Sequence, residues 1–590
     1  SMNYKKPTLV DVFILSLFTA FITFHPFYTR QEINLFELGL YLPGINAIFH
    51  GHVPFRDFFH LRGPLELYVP AFLMSVFGKH ICVLNTYFYV GTILTLIICV
   101  LIAAQLYRTR LIFYLMVPVL VARTFPRVVF AIWGGMRFAF GLLALLFIIR
   151  FIQREKPVWL FLAGITTALG IFTSVEIGAC SFISLGVVMF CSLIFKVHER
   201  KLIVKSVLAY LAGIFVVAGP LCFYLSSQQA LIPYWDSAYA VVTNMQNVID
   251  PHFVSEYPRN IKEALGAMTN PNSQNFRHMT PSYLYIFLLI YLGWKIKNKK
   301  FDRTDLAVVG LGTYGFILYN TGFRGIWAAQ FEMALQPEKI LWFFVLELGF
   351  LFLMGKKSRL LKSVKPRHSE ERSDEESQQR EILRFAQNDG KAPFLNNSQK
   401  NILINFLCFA LIASSLGYAI ARYQHRFFVF RYLEHVVRGK NTDDLKPLAG
   451  RVVRPLKIER AEGIIVPVEQ AQEIEEIVRF VQRSTSPNQK VLLYPDQGIY
   501  HFFFDRPFVG RFPIPLFSWF NDRWHEEFIA ELKNDKPKFI IVPQKNSAGW
   551  EAVHLALLEN RKKYRAVMDI IDSGYILEKT TPFSYIYKRR

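Results

Sequence analysis

Apolar residues gather in long blocks along this chain, at 8–26, 81–106, 110–123, 133–151, 158–173, 177–196, 205–225, 281–296, 304–320, 338–355 and 401–421. Most approach the roughly 17–25 residues that a helix needs to cross about 30 Å of hydrocarbon. The pattern predicts a polytopic α-helical membrane protein with about eleven transmembrane helices over residues 1–422.

The polar stretches between the blocks predict sidedness. The short connections "YRTR" (107–110), "RFIQREK" (150–156), "KVHERK" (196–201), "KIKNKKFDR" (295–303) and "GKKSR" (355–359) are all basic. The alternate connections, 27–80, 124–132, 226–280 and 321–337, are longer or less densely basic. Excess Lys and Arg marks cytoplasmic loops, so the basic set is expected inside, with Lys5 and Lys6 holding the N-terminus there. The long loops and everything after residue 422 then face outward.

Within the cytoplasmic loop 356–400, residues 366–390 ("PRHSEERSDEESQQREILRFAQNDG") are charged, repetitive and poor in apolar residues. Such a segment is expected to be disordered. It resembles a translated mobile repeat inserted in many unrelated bacterial genes.

Beyond about 425 the pattern becomes that of a water-facing α/β unit, taken as 423–590. "VEQAQEIEEIVRFVQRST" (468–485) has helical amphipathicity, and "KVLLYP" (490–495) and "KFIIVP" (538–543) read as buried strands. Helices are expected over 524–533 and 550–561, and "GYILEK" and "FSYIYKRR" as closing strands. In the first outside loop, 37–50 predicts one helix with Pro43 as a kink and Gly51 as its end; 65–78 predicts a second. Two amphipathic helices on the membrane surface account for a stretch both aromatic and charged.

Composition adjusts this picture only slightly. The chain is 52% hydrophobic and 19% charged, below the roughly 25% charged residues of a soluble domain. Its formal charge is +22, with Lys and Arg clustered in the short loops between apolar blocks and no basic stripe that would suit nucleic acid. All six cysteines lie in or beside apolar blocks, outside any metal-binding spacing, and read as small buried hydrophobes.

Chemistry-bearing residues concentrate in the outside loops. The stretch "FELGLYLPGINAIFHGHVPFRDFFHLRGPL" (36–65) resembles the first outside loop of GT-C superfamily glycosyltransferases. The nearest branch is the bacterial relatives of the protein mannosyltransferases and of the lipid A aminoarabinose transferase. The matching positions are Glu37, Tyr41, Gly51, Pro54, Phe55, Arg56, Asp57, Phe58, Gly63, Pro64 and Leu65. "GIFTSVEIG" (170–178), "NTGFRG" (320–325) and "VLLYPDQGIYHFFFDRPFVGRFP" (491–513) resemble further segments of the same families. The resemblance implies inverting transfer of a sugar from a polyprenyl-phosphate carrier to a lipid, glycan or protein acceptor at the outer face of a bacterial inner membrane.

That reaction needs a base for the acceptor hydroxyl and cations for the leaving phosphate. The resemblance puts Glu37 forward as the base; a helix-start carboxylate is the plainer alternative. Asp57 is the second candidate, against a structural pair with Arg56 or Arg62. For phosphate the candidates are Arg324, Arg137, Arg127 and Arg62, each with snorkelling at a span end as its alternative. Glu176 and Tyr41 complete the expected substrate contacts. Two carboxylates without a histidine cluster permit Mg²⁺ or Mn²⁺, or no metal. A lipid-linked glycan flippase or transporter without bond cleavage is the competing reading.

Overall fold

The computed structural model describes residues 6–30, 33–125, 134–244, 261–269, 276–323, 334–362, 428–440, 452–544 and 557–590, with a few single positions between 410 and 555. The chain opens with α1 (Leu9–Thr23). The first loop then contributes α2 (Leu35–Gly39), α3 (Leu42–Phe49) and α4 (Leu65–Phe77). Six long helices follow: α5 (Ile81–Leu106), α6 (Arg110–Thr124), α7 (Met136–Arg154), α8 (Pro157–Thr173), α9 (Val175–Ile194) and α10 (Arg200–Ser227). After α11 (Leu231–Asn244) and α12 (Ile261–Thr269) come α13 (Phe276–Lys297), α14 (Arg303–Phe323) and α15 (Gln336–Lys362), then the short α16 (Phe428–Val437).

Each apolar block up to 338–355 therefore lies on a helix; the block 401–421 and the insert 366–390 fall outside the described residues. Among the described residues four helices, α5, α7, α9 and α10, are long and apolar enough to cross a membrane. Their surroundings suit a bilayer. Phe190 on α9 and Phe215 and Phe223 on α10 turn large apolar side chains outward, whereas Leu96, Leu142, Leu145 and Ile149 are sealed in the bundle core. In water such outward faces would be a liability; against lipid they cost nothing.

The C-terminal segment is an α/β unit. β1 (Val453–Pro455) pairs antiparallel with β2 (Ile465–Pro467), which leads into α17 (Val468–Ser484). β3 (Leu492–Leu493), α18 (Tyr500–Phe504), α19 (Asp522–Asp535), β4 (Phe539–Pro543), α20 (Leu558–Gly574), β5 (Tyr575–Thr580) and β6 (Ser584–Arg589) follow. The larger sheet has the order β3-β4-β6-β5, with β3 parallel to β4 and the other neighbours antiparallel. The last helix runs 558–574, its apolar positions Val567 and Ile571 meeting the sheet; much of the expected helix 550–561, residues 550–553 and 556, lies outside the described residues.

This unit is continuous with the first loop. Leu38, Tyr41, Leu42, Ile45, Phe58 and Leu67 share one hydrophobic core with Leu456, Ile464, Ile499, Phe502 and Ile586. Polar contacts tie the two further. Arg460 donates to Asn46 Oδ1 (2.6 Å), Asn46 donates to Asp505 Oδ1 (3.0 Å), and His50 Nε2 lies 2.8 Å from the same carboxylate. The Phe59 N–H donates to the Arg511 carbonyl at 2.6 Å.

Candidate functional site

The first loop is shaped residue by residue. Asn34 caps α2, its Oδ1 accepting from the Glu37 N–H at 3.1 Å. The single helix expected over 37–50 is two: the chain breaks at Leu40–Tyr41, and Pro43 sits in the first turn of α3, where proline needs no hydrogen-bond partner. Residues 53–58 then form a tight turn. The Val53 N–H donates to Asp57 Oδ2 (2.7 Å), and Arg56 forks onto the same carboxylate through Nε (2.8 Å) and Nη2 (2.7 Å).

The chain next passes His60, Arg62 and Gly63. The Gly63 N–H donates to the Thr173 carbonyl (3.0 Å), and a Cβ at Gly63 would lie 2.0 Å from the Phe172 carbonyl oxygen. Only glycine lets the backbone lie this close to the end of α8. The contact fixes Arg62 beside the α8–α9 turn, whose second helical residue is Glu176.

Four segments thus deliver charge to one end of the helix bundle. Arg62 Nη1 stands 3.9 Å from Glu66 Oε2, and its guanidinium carbon lies 5.8 Å from the centre of the Tyr41 ring. Arg137, in the first turn of α7, places Nη1 4.0 Å from Glu176 Oε1. Glu37 acts electrostatically on both Arg62 and Tyr41. Glu66 is 0% and Tyr41 1% exposed, whereas the Glu176 side chain is 46% exposed, so the cluster is deep at one side and open at the other.

The buried polar groups here are poorly satisfied. Arg62 Nη1, both oxygens of Glu66 and the Tyr41 hydroxyl are closed to solvent without a close hydrogen bond. Native interiors rarely leave such groups orphaned, so this concentration of them calls for a partner: water, an ion or a ligand. Burial raises the Glu66 pKa, against the pull of Arg62 and Arg137. Burial also disfavours the Arg62 cation, but Tyr41, Glu66, Glu176 and Glu37 outweigh it and hold its pKa up. Burial and the Arg62 charge push His60 down to about 3, so this histidine is neutral.

The structure brings together Glu37, Tyr41, Arg62, Arg137 and Glu176 from the residues singled out in the sequence. Asp57 stands apart. Its hydrogen bonds and ion pairs go to residues 52–56, and the Arg56 fork, with the Val53 N–H and His52 adding to it, holds its pKa below the carboxylate norm against the effect of burial. Arg127 and Arg324 lie outside the described residues. Sequence reading passed over two members of the cluster, His60 and Glu66. Glu66 had left a signal: it is the one acid in the apolar run of α4, four residues after Arg62. Each cluster carboxylate already faces a guanidinium, and among the described residues no three His, Cys, Asp or Glu side chains are placed to hold a metal.

Two guanidiniums flanked by carboxylates, at the mouth of an apolar bundle, suit an anion carried on a lipid tail. Solved structures of similar overall fold are known. The apo oligosaccharyltransferase of Archaeoglobus fulgidus superposes with a TM-score of 0.50 at 11% identity, over 98% of this chain and 74% of that one. ArnT from Cupriavidus metallidurans, apo and bound to undecaprenyl phosphate, gives a TM-score of 0.49 at 12% identity, over 98% of this chain and 97% of that one. Both are GT-C superfamily members, and at these identities the likeness is one of fold alone. No protein-family model matches the sequence, and no curated protein matches it.

Proposed function

We propose that the protein is an inverting glycosyltransferase that moves a sugar from a polyprenyl-phosphate carrier to a hydroxyl-bearing acceptor at the outer face of the membrane. The observation that carries this reading is the convergence of Arg62 and Arg137 with Glu37, Glu66, Glu176 and Tyr41 at one end of an apolar helix bundle. In this reading about eleven helices span a bacterial inner membrane, the N-terminus is cytoplasmic, and the α/β unit lies on the periplasmic side with the site.

The step is a single displacement. The acceptor oxygen attacks the anomeric carbon and its proton passes to the Glu37 carboxylate. The bond from that carbon to the phosphate oxygen breaks, and its electron pair leaves with the carrier phosphate. Arg62 and Arg137 stabilise that charge, which grows as the bond breaks, so their contribution is greatest in the transition state. In this reading the isoprenoid tail lies against the outward apolar faces of the helices. Asp57, held by Arg56 and Val53, shapes the loop in this scheme. Undecaprenyl phosphate in ArnT and dolichol phosphate in the archaeal enzyme AglB are ligands of the kind proposed here.

The test is incubation of the purified chain with a panel of radiolabelled polyprenyl-phosphate sugars. Release of the sugar from its carrier is expected for wild type and is expected to disappear with Arg62→Ala. Vectorial movement of the lipid without bond cleavage would replace the enzyme with a flippase.

A further inference from the structure

Glu66 has no role in the displacement above, yet it is the most deeply buried charge of the cluster. It occupies the second position of α4, a helix otherwise apolar apart from its tyrosine and serine, and exposes no surface. Groups face it from every neighbouring element: Arg62 from the preceding loop, Tyr41 from the start of α3, Tyr87 from α5, Arg137 from α7 and Glu176 from α9. A carboxylate between two guanidiniums usually closes on one of them with a pair of short parallel bonds. Here it does not. The Arg62 nitrogen is 3.9 Å away, neither carboxyl oxygen accepts a close hydrogen bond, the Tyr41 hydroxyl acting on the carboxyl only from a distance, and Arg62 Nη1 donates none.

The spacing separates two things a salt bridge normally combines. Glu66 balances the charge of the arginines, which lets them lie in a low-dielectric site, but it leaves donor capacity on Arg62 unused. A second anion can therefore take the donor without displacing a bond. Once it is seated, Glu66 becomes a buried negative charge beside another, and like charges at this range cannot both persist cheaply. Burial already disfavours the ionised form of Glu66.

The geometry points to proton-coupled phosphate binding: Glu66 is a positioning residue that balances Arg62 and Arg137 while the site is empty and takes up one proton from solvent when a carrier phosphate seats on them. The inference rests on the reading that these arginines hold the carrier phosphate. Because linkage is reciprocal, protonation of Glu66 strengthens phosphate binding by the same factor that phosphate raises its proton affinity.

A polyprenyl methyl phosphodiester is the suitable probe, since its single charge does not titrate near neutrality. Its binding to the full chain in lipid nanodiscs is measured by calorimetry from about pH 5 to about pH 8. Wild type is expected to bind about tenfold more tightly at the acid end, one pKa unit of coupling being a factor of ten. The heat should depend on the buffer's ionisation enthalpy by about one proton taken up per probe bound. Glu66→Gln is expected to bind with a flat profile and no proton uptake, and Glu66→Asp to restore both. A wild type that binds, loses binding with Arg62→Ala, and yet shows no proton uptake overturns the role of Glu66 while leaving the phosphate site intact. So does a slope that Glu66→Gln retains. Absence of binding by wild type, or full binding by Arg62→Ala, overturns the phosphate site and this inference with it. The proton count is read on wild type, so it decides even where Glu66→Gln does not fold.

Discussion

At the scale of single residues the two loop acids are set different tasks by what touches them. Asp57 is already committed, with both oxygens bound by Arg56 and one also by the Val53 N–H. Glu37 sits half-buried at the rim of the arginine–tyrosine cluster. A general base contributes typically 10²–10⁴-fold, so Glu37→Gln is expected to lower transfer by about a thousandfold with carrier binding retained. Asp57→Asn is expected to lower it by less than about tenfold, with a stability loss of about 1 kcal/mol from the weakened turn, since half-exposed pairs are screened. Turnover of the labelled donor and a thermal melt separate these outcomes. The same logic bears on metals. Two guanidiniums supply the positive charge that a divalent cation would otherwise bring to the leaving phosphate, so excess EDTA is expected to change the transfer rate by less than about twofold.

At the scale of elements the decisive contact is between the first loop and the α8–α9 turn. Gly63→Ala would drive a methyl group into the Phe172 carbonyl, which must move or push the loop away. Because Arg62 is the adjacent residue, the expected result is a loss of carrier affinity of about tenfold or more at modest cost to stability, read as a raised KM for the donor. A second contact joins α3 to the C-terminal unit through Asp505, which meets Asn46, His50 and Arg460. Burial acts to raise the Asp505 pKa, but these partners hold it below its ordinary value. A lowered carboxylate contributes stability above its unfolded value of about 3.9 and loses it as pH falls through the folded one. Docking of the unit is therefore expected to persist through mild acid and to loosen only below about pH 4, as protease cleavage between the two would report. These contacts also show what the sequence could disclose. Apolar periodicity located the helices to within a few residues, since membrane burial leaves a long and unambiguous signal. It missed the break at Tyr41, because the apolar spacing continues across it. Glu37, Tyr41, Arg62, Arg137 and Glu176 were visible as charged or polar residues at loop and span edges. That they meet was not, since it depends on a backbone approach that Gly63 alone permits.

At the scale of the whole molecule, sidedness decides whether a site exists. The loop containing Glu37 and the unit after residue 452 fold around one hydrophobic core: a Cβ at Gly39 would come within 3.0 Å of the Ile499 nitrogen, and the Ile465 N–H donates to the Arg30 carbonyl at 2.9 Å. Segments so joined cannot lie on opposite faces of a bilayer. The charged cluster is at this same end, where α7 and α9 begin and α8 finishes. The opposite end carries the basic turns, such as Glu155–Lys156 and Lys196–Arg200, where excess positive charge resists translocation. Single cysteines placed by His52→Cys and Lys533→Cys, both at exposed positions, in a background without other cysteines, are therefore expected to react with a membrane-impermeant maleimide from the periplasmic side. Lys201→Cys, exposed at the other end, is expected to react only after the membrane is opened. Labelling of residues 52 and 533 from different sides would contradict the shared core itself. Labelling of both from the cytoplasm would keep the fold but put the site where nucleotide-linked sugars are available, and the case for a lipid-linked donor would then rest on the arginines alone.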